Sequence, residues 1–171
     1  MQLLRALLKA QLNGANDNNA RLWTAAFSGH AAAVRELVSA GADVNWQENY
    51  GISPLSAASQ KGHVDCVKLL IENGAEVDTR SNAGATPLYS AATKGHIEVV
   101  RFLIEQRADV NACRTDEASC LCTAAFDGYT AVVRALVSAG ADVNLQRDDG
   151  ASPLSMASMK EHTESLIGLL R

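Results

Sequence analysis

Short apolar stretches with helical spacing alternate with polar, glycine-containing turns along most of the chain. In one stretch Val67, Leu70 and Ile71 recur at three- to four-residue spacing, which predicts an amphipathic helix with an inward apolar face. Just before it, a run through the small residues Ala57 and Ala58 predicts a shorter helix that lets a neighbouring helix come close. The pattern therefore predicts a pair of short helices.

Residues that start and stop helices mark the ends of this pair. Ser53 can accept a hydrogen bond from the free N–H groups at a helix start, and Pro54 follows where no N–H is needed. We expect Gly62 to end the first helix in a left-handed conformation and Gly74 to end the second. Gly51 indicates a turn in an extended loop between units.

The same pattern recurs every 33 residues. The glycines that keep this period are Gly29, Gly62, Gly95 and Gly128. An alanine four residues earlier keeps it at Ala25, Ala58, Ala91, Ala124 and Ala157. A residue with a ring keeps it one position later, at His30, His63, His96, Tyr129 and His162. A fixed period over most of a chain indicates a repeat array. Such an array forms extended surfaces more readily than one deep catalytic pocket.

The unit resembles the ankyrin repeat, which has two antiparallel helices and a protruding hairpin loop. The segments of the third unit that fit the family pattern are Thr86–Leu88, Ala91–Ala92, Gly95–His96, Val99–Val100 and Ala108–Asn111. The closing phrase of the unit recurs at Gly41–Asn45 and Gly140–Asn144. The resemblance begins near Leu22 and runs to the end of the sequence. It implies an all-α ankyrin-repeat solenoid of helix pairs with protruding hairpin loops.

The period divides the sequence into one array over 1–171. The expected parts are an N-terminal cap helix at 1–14, repeats at about 15–47, 48–80, 81–113 and 114–146, and a truncated C-terminal capping repeat at 147–171. In the cap helix the inward residues are Leu4, Leu7 and Leu8, and at the other end Leu166, Leu169 and Leu170 are expected to pack on the fourth repeat. The polar run Ala15–Asn19 is predicted to be a loop.

Two features depart from the family pattern. The position after Pro-Leu, where the family often has a hydrogen-bonding histidine, instead holds Trp23, Ser56, Tyr89, Cys122 and Ser155. In addition, Arg107 and Glu117 replace glycines, and Cys120 replaces a proline. Because a left-handed non-glycine residue costs about 1–2 kcal/mol, the segment 107–122 is the weakest match. It can be interpreted as tolerated drift, as a loosened joint or as a specialised loop.

Composition and charge narrow the class of partner. Hydrophobic residues make up 47% and charged residues 20% of the sequence, which is ordinary for a soluble protein. The net charge of -4 argues against nucleic acid, because phosphate binding needs clustered lysines and arginines. No stretch is long and apolar enough to span a membrane. The cytoplasm is the expected compartment, with the nucleus left open, and a monomer is expected.

The residues that could carry chemistry are spread by the repeat instead of gathered in one place. The histidines are expected to bond backbone groups and pack on the next repeat. Asp43, Asp109 and Asp142 recur once per unit and are expected to tie the loop backbone together. Cys66, Cys113, Cys120 and Cys122 are expected to be free thiols in core or loop positions, with a redox or metal role as the alternative. We therefore predict no enzyme activity, catalytic residue, cofactor or metal.

Resemblance to ankyrin repeats implies that the concave face binds a protein partner. The predicted partner-binding residues vary between units and are Phe27, Trp46, Gln47, Tyr50, Ile52, Gln60, Lys61, Arg80, Lys94 and Phe126. Phe27, Trp46 and Tyr50, with Ile52 beside them, form a predicted hydrophobic hot spot flanked by Lys61 and Lys94, because aromatic anchors dominate binding energy at interfaces. The alternative is that Trp46 and Ile52 only pack one loop against another.

The sequence thus predicts a non-enzymatic protein–protein interaction module. The alternative is that the chain is the recognition part of a larger protein, such as a ligase adaptor, an effector or a signalling inhibitor, because the fifth unit is unfinished. The resemblance also implies that Asn45, Asn111 and Asn144 occupy a position that a dioxygenase hydroxylates in some ankyrin proteins. A loop-stabilising role explains these asparagines equally well.

Overall fold

The computed structural model describes residues 17–160, 162 and 164, which form short helices joined by turns and loops. Of these residues, 17–28 form helix α1. The helices that follow are α2 (Ala31–Ser39), α3 (Pro54–Lys61), α4 (Val64–Glu72), α5 (Pro87–Ala92), α6 (Ile97–Glu105), α7 (Cys120–Phe126), α8 (Thr130–Ser138) and α9 (Pro153–Met159). Within the described ranges no strand is present, apart from one isolated antiparallel bridge between Cys113 and Ser119.

The helices stack in two rows. Helix α3 packs on α5, α5 on α7 and α7 on α9, which makes an inner row that begins with α1. Helices α2, α4, α6 and α8 pack on one another in the same order and make an outer row. The prediction of an all-α repeat solenoid is therefore confirmed, and residues 17–160 contain four helix pairs followed by a fifth inner helix.

The inner helices begin where the sequence predicts. The Ser53 hydroxyl accepts a hydrogen bond from the backbone N–H of Ser56 at 3.1 Å, and Pro54 occupies the first helical position. Ser119 caps α7 in the same way, although Cys120 stands in the place of the proline. A hydroxyl cap satisfies one of the N–H groups that a helix start leaves unpaired, so each cap fixes where the helix begins.

The core runs without interruption along the stack. Fully buried side chains recur at equivalent positions of successive inner helices, at Leu22, Leu55, Leu88 and Leu121. The outer helices contribute a second recurring set, at Val34, Val67, Val100 and Val133. These residues belong to one hydrophobic cluster. Burying one such side chain stabilises the fold by about 1.5–3 kcal/mol. Because the buried residues of successive repeats pack in one cluster, each repeat forms part of the apolar surroundings of its neighbours.

The ring of each repeat closes the turn of the repeat before it. The Nε2–H of His96 donates a hydrogen bond to the backbone oxygen of Gln60 at 3.0 Å, and the ring lies over Gly62. The same covering of a glycine by a ring is made by His63 on Gly29, Tyr129 on Gly95 and His162 on Gly128.

The predicted bond from histidine to backbone is confirmed at His63, His96 and His162. The ring was predicted to pack on the next repeat, which is wrong for His63, His96 and His162, because these rings lie on the glycine of the preceding repeat. The physical reason is that the last carbonyl groups of an inner helix lack partners within the helix, and the glycine leaves room for a ring to reach them.

The two replaced glycines keep the backbone of the repeat. Arg107 and Glu117 adopt left-handed conformations, with φ of 64° and 55°. The Arg107 N–H donates to the oxygen of Ile104 at 2.9 Å, as the N–H of Gly74 donates to Ile71 at 3.0 Å. The segment 107–122 thus keeps the turn geometry of the other repeats at the two positions where its sequence departs from theirs.

The predicted loop at Ala15–Asn19 is wrong at residues 17–19, which are helical, and its first two residues lie outside the described residues. Asparagine disfavours helices because its side chain competes for nearby backbone groups. Here the side-chain oxygen of Asn19 instead accepts the N–H of Asp43 at 2.8 Å, and Leu22, one turn further on, is fully buried. The predicted cap helix at 1–14 and the predicted packing of Leu166, Leu169 and Leu170 lie outside the described residues.

Candidate partner-binding surface

The loops between repeats form four fingers, which we define as residues 45–52, 78–85, 111–118 and 144–151. Each finger is closed by a backbone hydrogen bond, such as the one from the Ser81 N–H to the oxygen of Ala85 at 3.0 Å. The equivalent bond from Arg147 to Ala151 measures 3.1 Å. The predicted hairpin loops are therefore present, and their backbones are fixed at each closing bond.

Acidic and amide side chains hold the base of each finger. The Asp43 carboxylate accepts the N–H of Asn45 at 2.9 Å, and the Asn45 side-chain oxygen accepts the N–H of Glu76, in the next repeat, at 2.8 Å. Asp109 and Asn111 are bonded in the same way. The loop-tying role predicted for the aspartates is confirmed, and Asn45 and Asn111 join neighbouring repeats.

Neighbouring fingers are also strapped together by side chains. The Gln47 amide donates to the backbone oxygen of Arg80 at 2.9 Å, and the Arg80 guanidinium donates to that of Cys113 at 2.8 Å. A backbone bond adds to these, since the backbone N–H of Asn82 donates to the backbone oxygen of Tyr50 at 2.9 Å. Gln47 and Arg80, both predicted partner-binding residues, therefore also position the fingers.

The fingers and the inner row line a common side of the array, which we call the concave face. A cavity of about 360 Å³ lies there between α3, α5 and three fingers. We call it the serine hollow, and it is lined by Ile52, Ser56, Gln60, Ser81, Ala83, Ala85, Tyr89, Ser90, Thr93, Lys94 and Arg114. Three of the predicted partner-binding residues, Ile52, Gln60 and Lys94, thus meet around one cavity.

A second cavity, of about 310 Å³, lies on the concave face two repeats further along the array. We call it the methionine hollow, and it is lined by Tyr89, Arg114, Asp116, Ala118, Thr123, Phe126, Arg147, Asp149, Ala151, Met156 and Met159. Phe126, also predicted to bind a partner, is the only one of that set in this hollow. Met159 is 70% exposed, which leaves its thioether open to a ligand.

Tyr89 and Arg114 form the wall that both hollows share. The guanidinium carbon of Arg114 lies 5.6 Å from the centre of the Tyr89 ring. Interaction with the Tyr89 hydroxyl raises the pKa of the Arg114 guanidinium, so this side chain stays charged. The Tyr89 hydroxyl also accepts a hydrogen bond from the Thr123 hydroxyl at 3.3 Å. The wall is therefore held from two neighbouring repeats.

The predicted partner-binding residues leave out Tyr89 and Arg114, although Tyr89 stands at a position where the sequence departs from the family pattern. The position after Pro-Leu holds large side chains at Trp23 and Tyr89 and small ones at Ser56, Cys122 and Ser155. The serine hollow lies over Ser56 and is bounded by Tyr89. At the serine hollow, a small residue at this position lines the cavity and a large residue at the same position one repeat further on bounds it.

Aromatic rings of the inner row carry lysine ammonium groups. Phe27 stacks on Trp23 with ring centres 5.1 Å apart, and the Lys61 nitrogen lies 4.4 Å from the centre of the Phe27 ring. Lys160 makes the same contact with Phe126 at 4.9 Å. Such cation–π pairs contribute about 0.5–1 kcal/mol at exposed sites. Each pair presents a flat apolar face beside a positive charge.

The predicted hot spot is divided between separate parts of the concave face. Tyr50 is 73% exposed in the first finger, whereas Trp46 and Ile52 are half-buried. Among the described residues the only ring-to-ring contact of Phe27 is with Trp23, so neither Trp46 nor Tyr50 stacks on it. Phe27 and Lys61 are brought together, and Ile52 joins the serine hollow.

The thiols occupy the core and loop positions expected from the sequence. Cys66, Cys120 and Cys122 are buried and Cys113 is half-buried, and all four are free. Burial raises the pKa of every one of these thiols, and that of Cys120 to about 12. Protonated thiols are poor nucleophiles and poor metal ligands. The described residues contain no group of three or more side chains arranged to hold a metal ion.

A larger hollow, of about 840 Å³, lies on the opposite side of the array between α6 and α8. Its rim carries the exposed ion pair between Arg134 and Glu164, at 3.2 Å, and its floor includes Ala135 and Ala139. It contains none of the predicted partner-binding residues. We therefore treat the concave face, and not this groove, as the candidate surface.

Comparison with known families identifies the class of protein. A family model of ankyrin repeats in three copies matches residues 22–114, and a second model of ankyrin repeats in many copies matches residues 121–170. The chain belongs to the ankyrin repeat family, whose members are generally protein–protein interaction modules. The comparison with curated proteins found no match. In the described part of the chain no helix is long and apolar enough to cross a membrane.

Proposed function

We propose that the chain is a non-enzymatic module that acts as a monomer and binds a protein partner on its concave face. The observation that carries this proposal is that two hollows and four fingers, three of them strapped together, lie on one face. A rigid surface of this kind loses little conformational freedom on binding, because the fingers are already fixed by hydrogen bonds.

The exposed side chains support a protein partner. Tyr50 and Met159 are 73% and 70% exposed, far more than large apolar residues of the core. Tyrosine and methionine are enriched at protein interfaces, where each can bury a large area on one partner. The pairing of Phe27 with Lys61 adds an aromatic face beside a cation. These features suit a mixed apolar and polar protein surface.

The chemistry of the titratable groups supports a non-enzymatic role. The rings of His63, His96 and His162 are bonded to backbone oxygens of the preceding repeat. Nucleophilic catalysis needs a nucleophile and a base that converge on one point. The free thiols fit a reducing compartment, and the cytoplasm is the compartment we propose.

Affinity capture with the full chain, followed by titration calorimetry on the purified partner, tests the proposal. The double variant Trp46→Ala with Tyr50→Ala is expected to weaken binding about tenfold or more, because truncating an aromatic anchor typically costs more than 1 kcal/mol. The matched control is Arg35→Ala with Glu72→Ala, two exposed residues of α2 and α4.

The control pair is expected to leave the affinity unchanged. Circular dichroism and thermal melting establish that both double variants keep the fold. Loss of binding in the outer-row variant together with full binding in the finger variant would contradict the assignment of the concave face. A measured hydrolase or transferase activity of the purified chain would contradict the non-enzymatic role.

A further inference from the structure

The two hollows of the concave face are chemically different although they occupy equivalent positions. Gln60 and Thr93 of the serine hollow correspond in the repeat to Phe126 and Met159 of the methionine hollow. The first pair can donate and accept hydrogen bonds, whereas the second pair is apolar. The groove therefore offers a polar site and an apolar site, separated by the wall of Tyr89 and Arg114.

The serine hollow suits a negatively charged group. Lys94 and Arg114 both line it, and no aspartate or glutamate is among its lining residues. The Ser90 and Thr93 hydroxyls already donate to backbone oxygens at 3.0 Å, whereas the Ser56 hydroxyl only accepts, from Ser53, and so keeps its proton for a ligand. A carboxylate accepts hydrogen bonds from both its oxygens, and bonds from charged donors are about twice as strong as neutral ones.

The charge of Lys94 has no partner in the part of the chain that the structure describes. The ion pairs there are Arg114 with Asp116, Arg134 with Glu164, and Arg147 with Asp149. Lys61 and Lys160 lie over the rings of Phe27 and Phe126, but the equivalent position in the repeat before Lys94 holds Gln60 and offers no ring. Lys94 is therefore available to a ligand.

The acidic residue of the first finger does not neutralise this site. The Glu48 carboxylate accepts the backbone N–H of Tyr50 at 2.8 Å and that of Ile52 at 3.1 Å, so it is bonded within its own finger. Arg114 is only partly compensated, because its Nε lies 3.7 Å from the Asp116 carboxylate and is without a hydrogen-bond acceptor in the described structure. The hollow thus carries positive charge in a chain whose net charge is -4.

The methionine hollow suits a large apolar side chain. Phe126, Met156 and Met159 contribute its apolar lining, and methionine adapts to ligands of irregular shape because it is unbranched and flexible. Arg147 on its rim is paired with Asp149 at 3.6 Å, so the charge on that side is largely balanced. An apolar side chain is therefore preferred there over an acidic one.

We propose that the concave groove binds an extended, acidic segment of a partner protein, with an aspartate or glutamate in the serine hollow and a large apolar residue in the methionine hollow. This inference rests on the proposed function and specifies the partner's chemistry. The hollows lie two repeats apart, and packed helices are about 8–10 Å apart. Because an extended chain advances about 3.3 Å per residue, the two side chains are separated by about five or six residues.

Selection from a random peptide library on the full chain tests the proposal. Peptides of about ten residues are long enough to cross both hollows. Enriched peptides are expected to carry an aspartate or glutamate about five or six residues from a leucine, methionine or aromatic residue. The best peptide is then synthesised, and its affinity is measured by fluorescence anisotropy for the original chain and its variants.

The Lys94→Glu variant is expected to weaken the selected peptide at least about tenfold, because it places like charges together. A peptide with its acidic residue replaced by lysine is expected to regain affinity for this variant. Arg35→Glu makes the same change of charge on the exposed side of α2 and is expected to have no effect. Arg114→Gln removes the other positive charge of the hollow and is also expected to weaken binding of the peptide. Thermal melting checks that this variant keeps the fold, because Arg114 also contacts Tyr89.

Four results would overturn the inference. Enriched peptides without acidic residues would exclude a carboxylate site, and an unchanged affinity of Lys94→Glu would separate Lys94 from the site. Replacement of the acidic residue by phosphoserine with a large gain in affinity would assign the hollow to phosphate. If no peptide is enriched, the groove does not bind an extended segment, although the array can still hold a folded partner, as the calorimetric experiment would then reveal.

Discussion

The imidazole of His96 lies over Gly62, so that a Cβ atom added at Gly62 would fall 2.5 Å from the ring nitrogen Nδ1. The other ring nitrogen donates to the backbone oxygen of Gln60. One side chain therefore both fills the space that glycine leaves and satisfies a carbonyl group near the end of the preceding inner helix. The period of glycine followed by a ring residue describes a contact between repeats.

Replacing Gly62 by alanine is expected to destabilise the fold more than replacing Gly74. Both residues are left-handed, with φ of 76° and 89°, so both variants share a backbone cost of about 1–2 kcal/mol. Only the alanine at Gly62 meets a ring, whereas a Cβ at Gly74 has no atom within 4 Å. Displacing the ring adds about 1–3 kcal/mol. Urea unfolding measures the difference, and equal losses would contradict the packing of His96.

Replacing Arg107 by glycine is expected to stabilise the fold. Arg107 has a φ of 64°, and glycine removes the steric cost of about 1–2 kcal/mol that this conformation imposes on other residues. Glycine also raises the conformational entropy of the unfolded chain, which lowers the stability by about 0.4–1 kcal/mol. A net gain of about 0.5–1 kcal/mol is expected in the free energy of unfolding. Arg101→Gly in α6 is the control and is expected to lose about 1 kcal/mol. A loss in both variants would contradict the account of Arg107.

Most of the fold could be predicted from the sequence because each repeat contains the residues that start and end its helices. Ser53 and Pro54 fix a helix start and Gly62 fixes its end, and these signals act within a few residues of one another. The direction in which His96 packs could not be predicted, because it depends on which repeat has an unpaired carbonyl within reach. Asn19 was misjudged for a similar reason, since its partner lies in another segment.

The hydroxyl of Ser53, which caps α3, and that of Ser59 within α3 are expected to differ sharply in their contribution to stability. Ser53→Ala removes the cap on the N–H of Ser56 and is expected to cost about 1 kcal/mol. Ser59 is fully buried, and its hydroxyl has no hydrogen-bond partner in the described structure. Ser59→Ala is therefore expected to be neutral or slightly stabilising, because it removes an unpaired buried polar group. Chemical unfolding measures the free energy of unfolding of both variants. A larger loss of stability in Ser59→Ala than in Ser53→Ala would contradict this expectation.

The pH dependence of stability is expected to carry a contribution from Cys120. Burial raises the pKa of its thiol from 9.0 to about 12 in the folded chain. Between these values the unfolded chain releases the proton and the folded chain keeps it, so the free energy of unfolding falls as the pH rises above 9. Below pH 9 both states are protonated and the contribution is constant.

A comparison with Cys120→Ala isolates this contribution from other groups that titrate at high pH. The variant is expected to lose less stability than the original chain between pH 9 and pH 12. A thiol reagent near neutral pH gives an independent check, since Cys113 is half-buried and is expected to react before the other three cysteines. Identical slopes in the two chains, or fast labelling of Cys120, would contradict its burial.

The candidate surface could be predicted only in part. Exposed variable positions such as Lys94 could be read from the repeat, because residues in phase occupy equivalent places. Tyr89 was recognised as a departure from the family pattern, but its role as a wall follows from Arg114, which comes from a different finger. Cavities formed between repeats depend on the relative size of neighbouring side chains, which one repeat alone does not specify.

The central claim is that a protein partner lies on the concave face. Hydrogen–deuterium exchange of the full chain, with and without its captured partner, tests this claim most directly. The partner is expected to slow exchange in the fingers at 45–52 and 78–85 and in α3 and α5, while α4 and α6 stay unchanged. Protection confined to the outer helices, with exchange of the fingers unaltered, would contradict the claim.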